Sequence, residues 1–169
     1  MQGRVSYLLY GVLAIAFGIW LLGQLGGEKR RIQSQLDKLE ELLEKDGEES
    51  GLEAANRARS VALLFARDFE VVLSGYAEGS TTSPQQISQA MLRYRTAPSR
   101  IDVSFSDIEI ELGPGERGAD MGAVGVAAAT TDGHLSRRRF RFAFRWIRDE
   151  REWVIQRAEL IEELDAGLF

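Results

Sequence analysis

The stretch His134-Leu135-Ser136-Arg137-Arg138-Arg139-Phe140-Arg141-Phe142-Ala143-Phe144-Arg145-Trp146 decides the fold. Phe140, Phe142, Phe144 and Trp146 alternate with Arg137, Arg139, Arg141 and Arg145. A period of two belongs to a strand with one dry and one wet face. Four buried aromatics at about 1.5–3 kcal/mol each would supply a large share of a domain's net stability. The aromatic face therefore predicts a sheet with its core on that side.

Working outward, Asp132-Gly133 is a two-residue hairpin signal, because both central residues of that turn need positive φ. Val124, Val126 and Ala128 mark the strand before it, and its Gly122 and Gly125 indicate close backbone packing. Gly113 to Gly118 reads as a loop. Upstream, Ile101, Val103 and Phe105 alternate, and Ile108, Ile110 and Leu112 resume after a phase change that predicts a bulge near Ser106-Asp107. Downstream, a turn at Asp149-Glu150 leads to Trp153 and Ile155, then after a further irregularity to Ala158, Leu160 and Leu164. The result is a four-stranded antiparallel meander.

Two helices are expected before the meander. Val61, Leu64, Phe65, Phe69, Val72 and Tyr76 recur at helical spacing and predict one long helix from Leu52 to about Tyr76. Ser83 as N-cap, Pro84 in the first turn and Gln86 completing a capping box open the second helix. Ile87, Ala90, Met91 and Tyr94 form its buried side, and Pro98 ends it. Helices followed by strands give an α+β domain over 52–169, with the helices on one face of a curved sheet.

Residues 28–51 predict a helical stalk and hinge. Ile32, Leu36, Leu39 and Leu43 are spaced four, three, four, with Leu42 widening the stripe. Over about two heptads this spacing fits a short self-associating coiled coil and also an amphipathic helix packed on its own domain. Asp46 to Gly51 then breaks the helix.

Residues 1–27 read as a transmembrane anchor, with no charge from Val5 to Gly27. About 20 residues span a hydrocarbon core of roughly 30 Å, and Tyr7, Tyr10 and Trp20 suit the interfaces. The run is long and its exit, Gly23-Gln24-Leu25-Gly26-Gly27, lacks an A-x-A-like site, so an anchor is expected and not a cleaved signal peptide. Gly11, Ala14 and Gly18 share a helical face that would let two such spans approach as a homodimer. Lys29, Arg30 and Arg31 after the span outweigh Arg4 before it, which tilts the expected side of the domain toward the cytoplasm of a cell membrane, the periplasm remaining open.

Composition removes whole classes of chemistry. The chain of 169 residues holds no Cys and one His, which excludes disulfides, thiol nucleophiles and multi-histidine metal sites. A net charge of −5 disfavours nucleic acid as a partner, and the aromatics occupy the core face, where they cannot stack bases. No cofactor or metal spacing is visible. Three Lys stand against eighteen Arg, an excess that GC-rich coding alone produces.

Two helices, a long meander, the Asp-Gly hairpin and a closing strand carrying Glu152-Trp153-Val154-Ile155 resemble the nuclear transport factor 2-like superfamily, the cone fold of SnoaL-like cyclases and ketosteroid isomerases. The resemblance covers roughly Leu52 to Leu164 and implies a cavity enclosed by the cone, shortened here because no further helix separates the first strands. In that setting Asp68, Tyr76 and Tyr94 are candidate cavity residues. Asp68, between Leu64/Phe65 and Val72, is the candidate proton-abstracting carboxylate if burial raises its pKa. The competing reading pairs it with an Arg such as Arg67 or Arg95. His134, directly after the hairpin turn, is expected to be exposed.

Arg137, Arg139, Arg141 and Arg145 are the candidate binding row for an acidic partner or lipid headgroups. Cross-strand pairing with Glu109, Glu111, Glu159 and Glu162 is the simpler account. The expected function is a non-enzymatic, membrane-anchored interaction domain serving as accessory or assembly subunit of a membrane complex. The alternative is a small apolar ligand binder, or an isomerase-like enzyme, using the cone cavity.

Overall fold

The computed structural model describes residues 27–73 and 83–164. Its elements in chain order are helix α1 (27–43), β1 (Lys45–Asp46), α2 (Gly51–Ala62), β2 (Phe65–Leu73), α3 (Pro84–Thr96), β3 (Arg100–Leu112), β4 (Gly118–Thr131), β5 (His134–Asp149) and β6 (Glu152–Leu164). The sheet has six strands in the order β1-β3-β4-β5-β6-β2, not four. Its centre is the expected meander, and helices cover one face.

The meander forms as the alternation dictates. Asp132 and Gly133 adopt φ of 51° and 80° and close β4 onto β5 at Thr131↔His134. The bulge falls where the phase changes: pairing slips between Ser106 and Glu109, with Asp107 at φ 51°. Two further slips on β6 reset its register with β5, one of them between Ile155 and Arg157. Phe144, Trp146, Trp153 and Ile155 are buried, and Trp146 is 0 % exposed.

Three expectations are corrected. The helix from Leu52 to Tyr76 ends at Ala62, and Phe65–Leu73 is a strand parallel to β6, with Val71↔Ala158 and Leu73↔Leu160 in register. Phe65 and Phe69 lie four apart, a spacing that shares a face on a helix and on a strand alike. Phe-Glu-Val-Val-Leu favours the strand, and pairing with β6 overrides the helical reading. The heptad stripe is core and not stalk: Ile32 and Leu36 are 0 % exposed and Leu39 is 4 %, because the aromatic sheet face offers α1 more apolar area than a second short helix would. Three helices therefore cover the sheet instead of two. The supposed hinge is tied down, since Asp46 pairs with Arg100 and Ser50 caps α2 in a capping box with Glu53.

Arg95 locks this arrangement. It is 3 % exposed and spends every donor: Nε and Nη2 grip Glu49 at 2.8 Å each, Nη1 reaches the Leu42 and Leu43 carbonyls, and Nη2 reaches that of Glu44. One guanidinium thereby caps the C-terminal end of α1 and binds it to α3. Lys45 Nζ adds bonds to the carbonyls of Arg95 and Pro98. At the other end of α1, Glu28 accepts a bond from Trp153 Nε1 and faces Arg148 at 3.6 Å.

The apolar stretch 5–27, with Gly11, Ala14 and Gly18, lies outside the described residues except for Gly27. Among the described residues no helix is long and apolar enough to cross a membrane.

Candidate functional site

The cone holds an apolar cavity of about 460 Å³ between the helices and the inner sheet face. Its floor is aromatic. Phe105, Phe142 and Phe144 contact one another with ring centroids 5.8–5.9 Å apart, in two edge-on pairs and one stacked pair. Met91 and Tyr94 from α3, Leu39 and Leu43 from α1, and Val71 to Leu73 of β2 complete the walls. Trp146 and Trp153 are buried in the core and are not part of this lining.

Gly125 makes the floor possible. It pairs with Phe105 on one side and Phe140 on the other. A Cβ there would stand 2.6 Å from Phe142 Cε2 and 3.1 Å from Phe105 Cε1. The rings lie across the β4 backbone only because that residue has no side chain.

Tyr94 is the one titratable residue among the cavity's described lining. The ring sits at the rim, 43 % exposed, and partial burial pushes its hydroxyl above the ordinary value despite the opposing pull of Arg95. Asp68 is exposed and is not part of the lining. The strand explains this: Phe69 turns into the core at 2 % exposure, so its neighbour Asp68 turns out. Turned outward and away from the cavity, Asp68 loses its place as general base. Arg95, one of its suggested partners, is committed to Glu49. Tyr76 lies outside the described residues. His134 is exposed beside the hairpin turn.

The arginine row emerges on the outer sheet face and is mostly paired. Arg139 meets Asp107 at 3.7 Å, Arg141 meets Glu162 at 3.3 Å and Arg145 meets Asp120 at 3.2 Å. Of the four expected partners only Glu162 pairs with the row, and Glu159 is taken by Arg157 at 3.0 Å. Among the described residues Arg137, Glu109 and Glu111 have no ion pair. Asp107 reaches Arg139 across β4, a neighbour that only the pairing of three strands reveals, whereas Asp120 stands opposite Arg145 in the register set by the Asp132-Gly133 hairpin and was legible but overlooked. Leu39, Leu43, Val71 and Leu73 were legible as apolar but assigned to the wrong elements.

Solved structures with the same architecture are numerous. An NTF2-like protein with a cystatin-like fold from Novosphingobium aromaticivorans superposes with a TM-score of 0.68 at 14 % identity, over 88 % of this chain and 90 % of its own. The fold is the NTF2-like cone. A scytalone dehydratase-like protein from the same organism gives 0.63 at 17 % identity, over 84 % and 89 %. A hexachlorocyclohexane dehydrochlorinase gives 0.61 at 10 % identity, over 88 % and 95 %. No protein-family model matches the chain, and no curated protein matches it in sequence.

Proposed function

We propose that this protein binds a small apolar molecule inside the cone and holds it without acid–base chemistry. One observation carries the reading: a 460 Å³ cavity whose described lining contains no carboxylate, imidazole, amine or guanidinium. That volume lies within the range of about 300–1,000 Å³ typical of small-molecule sites. Burial of apolar ligand surface at roughly 25 cal/mol per Å² supplies the affinity, and the Tyr94 hydroxyl at the rim is the available polar anchor. Cone-fold neighbours named for small-molecule conversions support a ligand in this place. The isomerase-like variant loses support because Asp68 faces away. The assembly-subunit expectation rested partly on a stalk that is now accounted for as core. The uncharged stretch 5–27 supports a membrane-tethered setting for the binder, testable by carbonate extraction of the full-length chain.

The binding test uses the full-length chain in mild non-ionic detergent. Neutral N-phenyl-1-naphthylamine should gain fluorescence on binding, and organic extracts of the purified protein should yield a displacing molecule by mass spectrometry. Ala127→Phe, which places a ring at the cavity wall, should abolish dye binding while circular dichroism stays native. Asp68→Asn should bind as the wild type does. Equal dye binding in wild type and Ala127→Phe would remove the cavity from consideration.

A further inference from the structure

Three contacts fix which end of the domain carries the start of α1. Glu28 accepts its bond from Trp153 Nε1 and faces Arg148 at 3.6 Å, which seats α1 on the turn between β5 and β6. The Arg148 N–H donates to the Arg117 carbonyl, bringing the β3–β4 loop to the same place. The Ile155 N–H donates to the Leu64 carbonyl, bringing the junction of α2 and β2 there as well. At that junction Arg59, Leu63, Phe65 and Arg67 line a groove of about 650 Å³ with Asp149 and Val154, and the first turn of α3 borders it. In the chain, the uncharged stretch 5–27 and α1 meet at Gly27. A membrane span read from that stretch therefore leaves no spacer between the bilayer and this end. At 1.5 Å per residue along the helix axis, Lys29 to Arg31 stand roughly 3–6 Å beyond it.

We propose that this end lies on the surface of an anionic bilayer, where the groove takes the phosphate of an acidic phospholipid between Arg59 and Arg67 and Leu63 enters the acyl boundary beside it. This docking rests on the membrane-tethered setting proposed above. Lys29, Arg30, Arg59, Arg67, Arg117 and Arg151 are exposed and, among the described residues, have no ion pair. Arg31 and Arg148 share a single carboxylate, Glu28. The other acids here are Glu116, Asp149, Glu150 and Glu152, with Asp68 beside Arg67. This end is thus net basic in a chain whose formal charge is −5.

Leu63 makes a lipid surface the better occupant than an acidic protein. It is the C-cap of α2 and 73 % exposed. Arg59 lies one turn before it, and Arg67 follows on β2. An exposed leucine between two arginines suits the acyl–headgroup boundary, with the apolar side chain below and the guanidinium groups at phosphate level. Phe65 and Val154 give the groove an apolar wall, and Asp149 is the one carboxylate of its described lining. Attraction to an anionic leaflet fades within a Debye length, about 8 Å at physiological ionic strength. A tether without a spacer keeps these cations inside that range, and it holds the surface at high effective concentration.

The chain has no Cys, so a single introduced cysteine reports one place. Full-length Leu63→Cys and His134→Cys, the latter at the other end of β5, are labelled with nitrobenzoxadiazole in detergent. Each is then reconstituted into vesicles of phosphatidylcholine, with or without phosphatidylglycerol. The label at position 63 should brighten about twofold and shift to the blue when phosphatidylglycerol is present, and the label at 134 should not change. Salt at about 1 M should remove the gain, since screening then acts beyond about 3 Å. Arg59→Glu with Arg67→Glu, added to Leu63→Cys, should also remove it, with circular dichroism unchanged and cavity dye binding in detergent retained. Inorganic phosphate added to phosphatidylcholine vesicles should have no effect on the label at 63. A chain that fails to float with vesicles, or is released by carbonate, would refute the tether and this docking with it. A tethered chain would overturn the docking alone if its label at 63 responds equally to both vesicles, keeps its gain in the double reversal, or brightens with inorganic phosphate.

Discussion

Replacing Gly125 by Ala tests how tightly the cavity floor is built. The new Cβ would sit 2.6 Å from Phe142 Cε2 and 3.1 Å from Phe105 Cε1. Carbon atoms rest at about 3.5–4.0 Å, so the Phe142 ring edge must retreat by about 1 Å. It has somewhere to go, because the cavity lies on its far side, so strain falls at the lower end of the overpacking range of about 1–3 kcal/mol. The lost freedom of the unfolded glycine offsets about 0.4–1 kcal/mol of that. The net expectation is a loss of about 1 kcal/mol in stability, read by equilibrium urea denaturation. Ligand affinity should suffer more than stability, since the displaced ring enters the binding volume. About a tenfold rise in the dye dissociation constant, equivalent to about 1.4 kcal/mol, is expected. If stability falls by 3 kcal/mol while dye binding is unchanged, the ring has not moved into the cavity, and the assignment of that volume as the ligand site fails.

Trp146→Ala or Phe142→Ala should cost about 3–5 kcal/mol in the same denaturation assay, and Arg139→Ala less than about 1 kcal/mol; equal costs would mean the two sheet faces are reversed. Arg95→Ala should cost about 3–5 kcal/mol, because Glu49 and the carbonyls ending α1 lose a buried partner, and Arg95→Lys should not restore the fold's stability, having too few donors. The Tyr94 hydroxyl is pushed up by burial, so the difference titration at 295 nm between wild type and Tyr94→Phe should show ionisation above about pH 10. A raised folded pKa contributes stability that is fully present below the unfolded value and is lost as pH rises through the folded one, so the Tyr94→Phe melting curve should lose less on going to pH 11. A titration at or below the free-tyrosine value would contradict its place at the rim.

The meander was legible because its information is local. Strict alternation at Phe140 to Trp146, the Asp132-Gly133 turn and the phase change at Ser106-Asp107 each specify geometry within a few residues. The corrected elements share the opposite property. Ile32, Leu36 and Leu39 display an apolar stripe without saying what covers it, and the sheet face that does so lies far along the chain. Phe65 and Phe69 fit helix and strand equally, and the deciding hydrogen bonds come from β6. The cavity was inferred through resemblance, yet Asp68 was placed in it by a helical phase that a strand does not have. Of the partners of the arginine row, Asp107 needed the β3–β4 pairing and Glu162 the β5–β6 register, while Asp120 follows from the register that the Asp132-Gly133 turn sets.

The docking of α1 has a consequence for the order of assembly. Glu28 and Trp153, joined by a hydrogen bond, are 125 residues apart in the chain. During synthesis α1 emerges ahead of the sheet, and its apolar stripe has no cover until β5 and β6 are made. Hairpins of the meander close over short separations and form early, whereas closing so long a loop must wait for them. Among the described helices the earliest made is therefore the last to find its place, and until then Ile32, Leu36 and Leu39 remain exposed to whatever else the nascent chain meets.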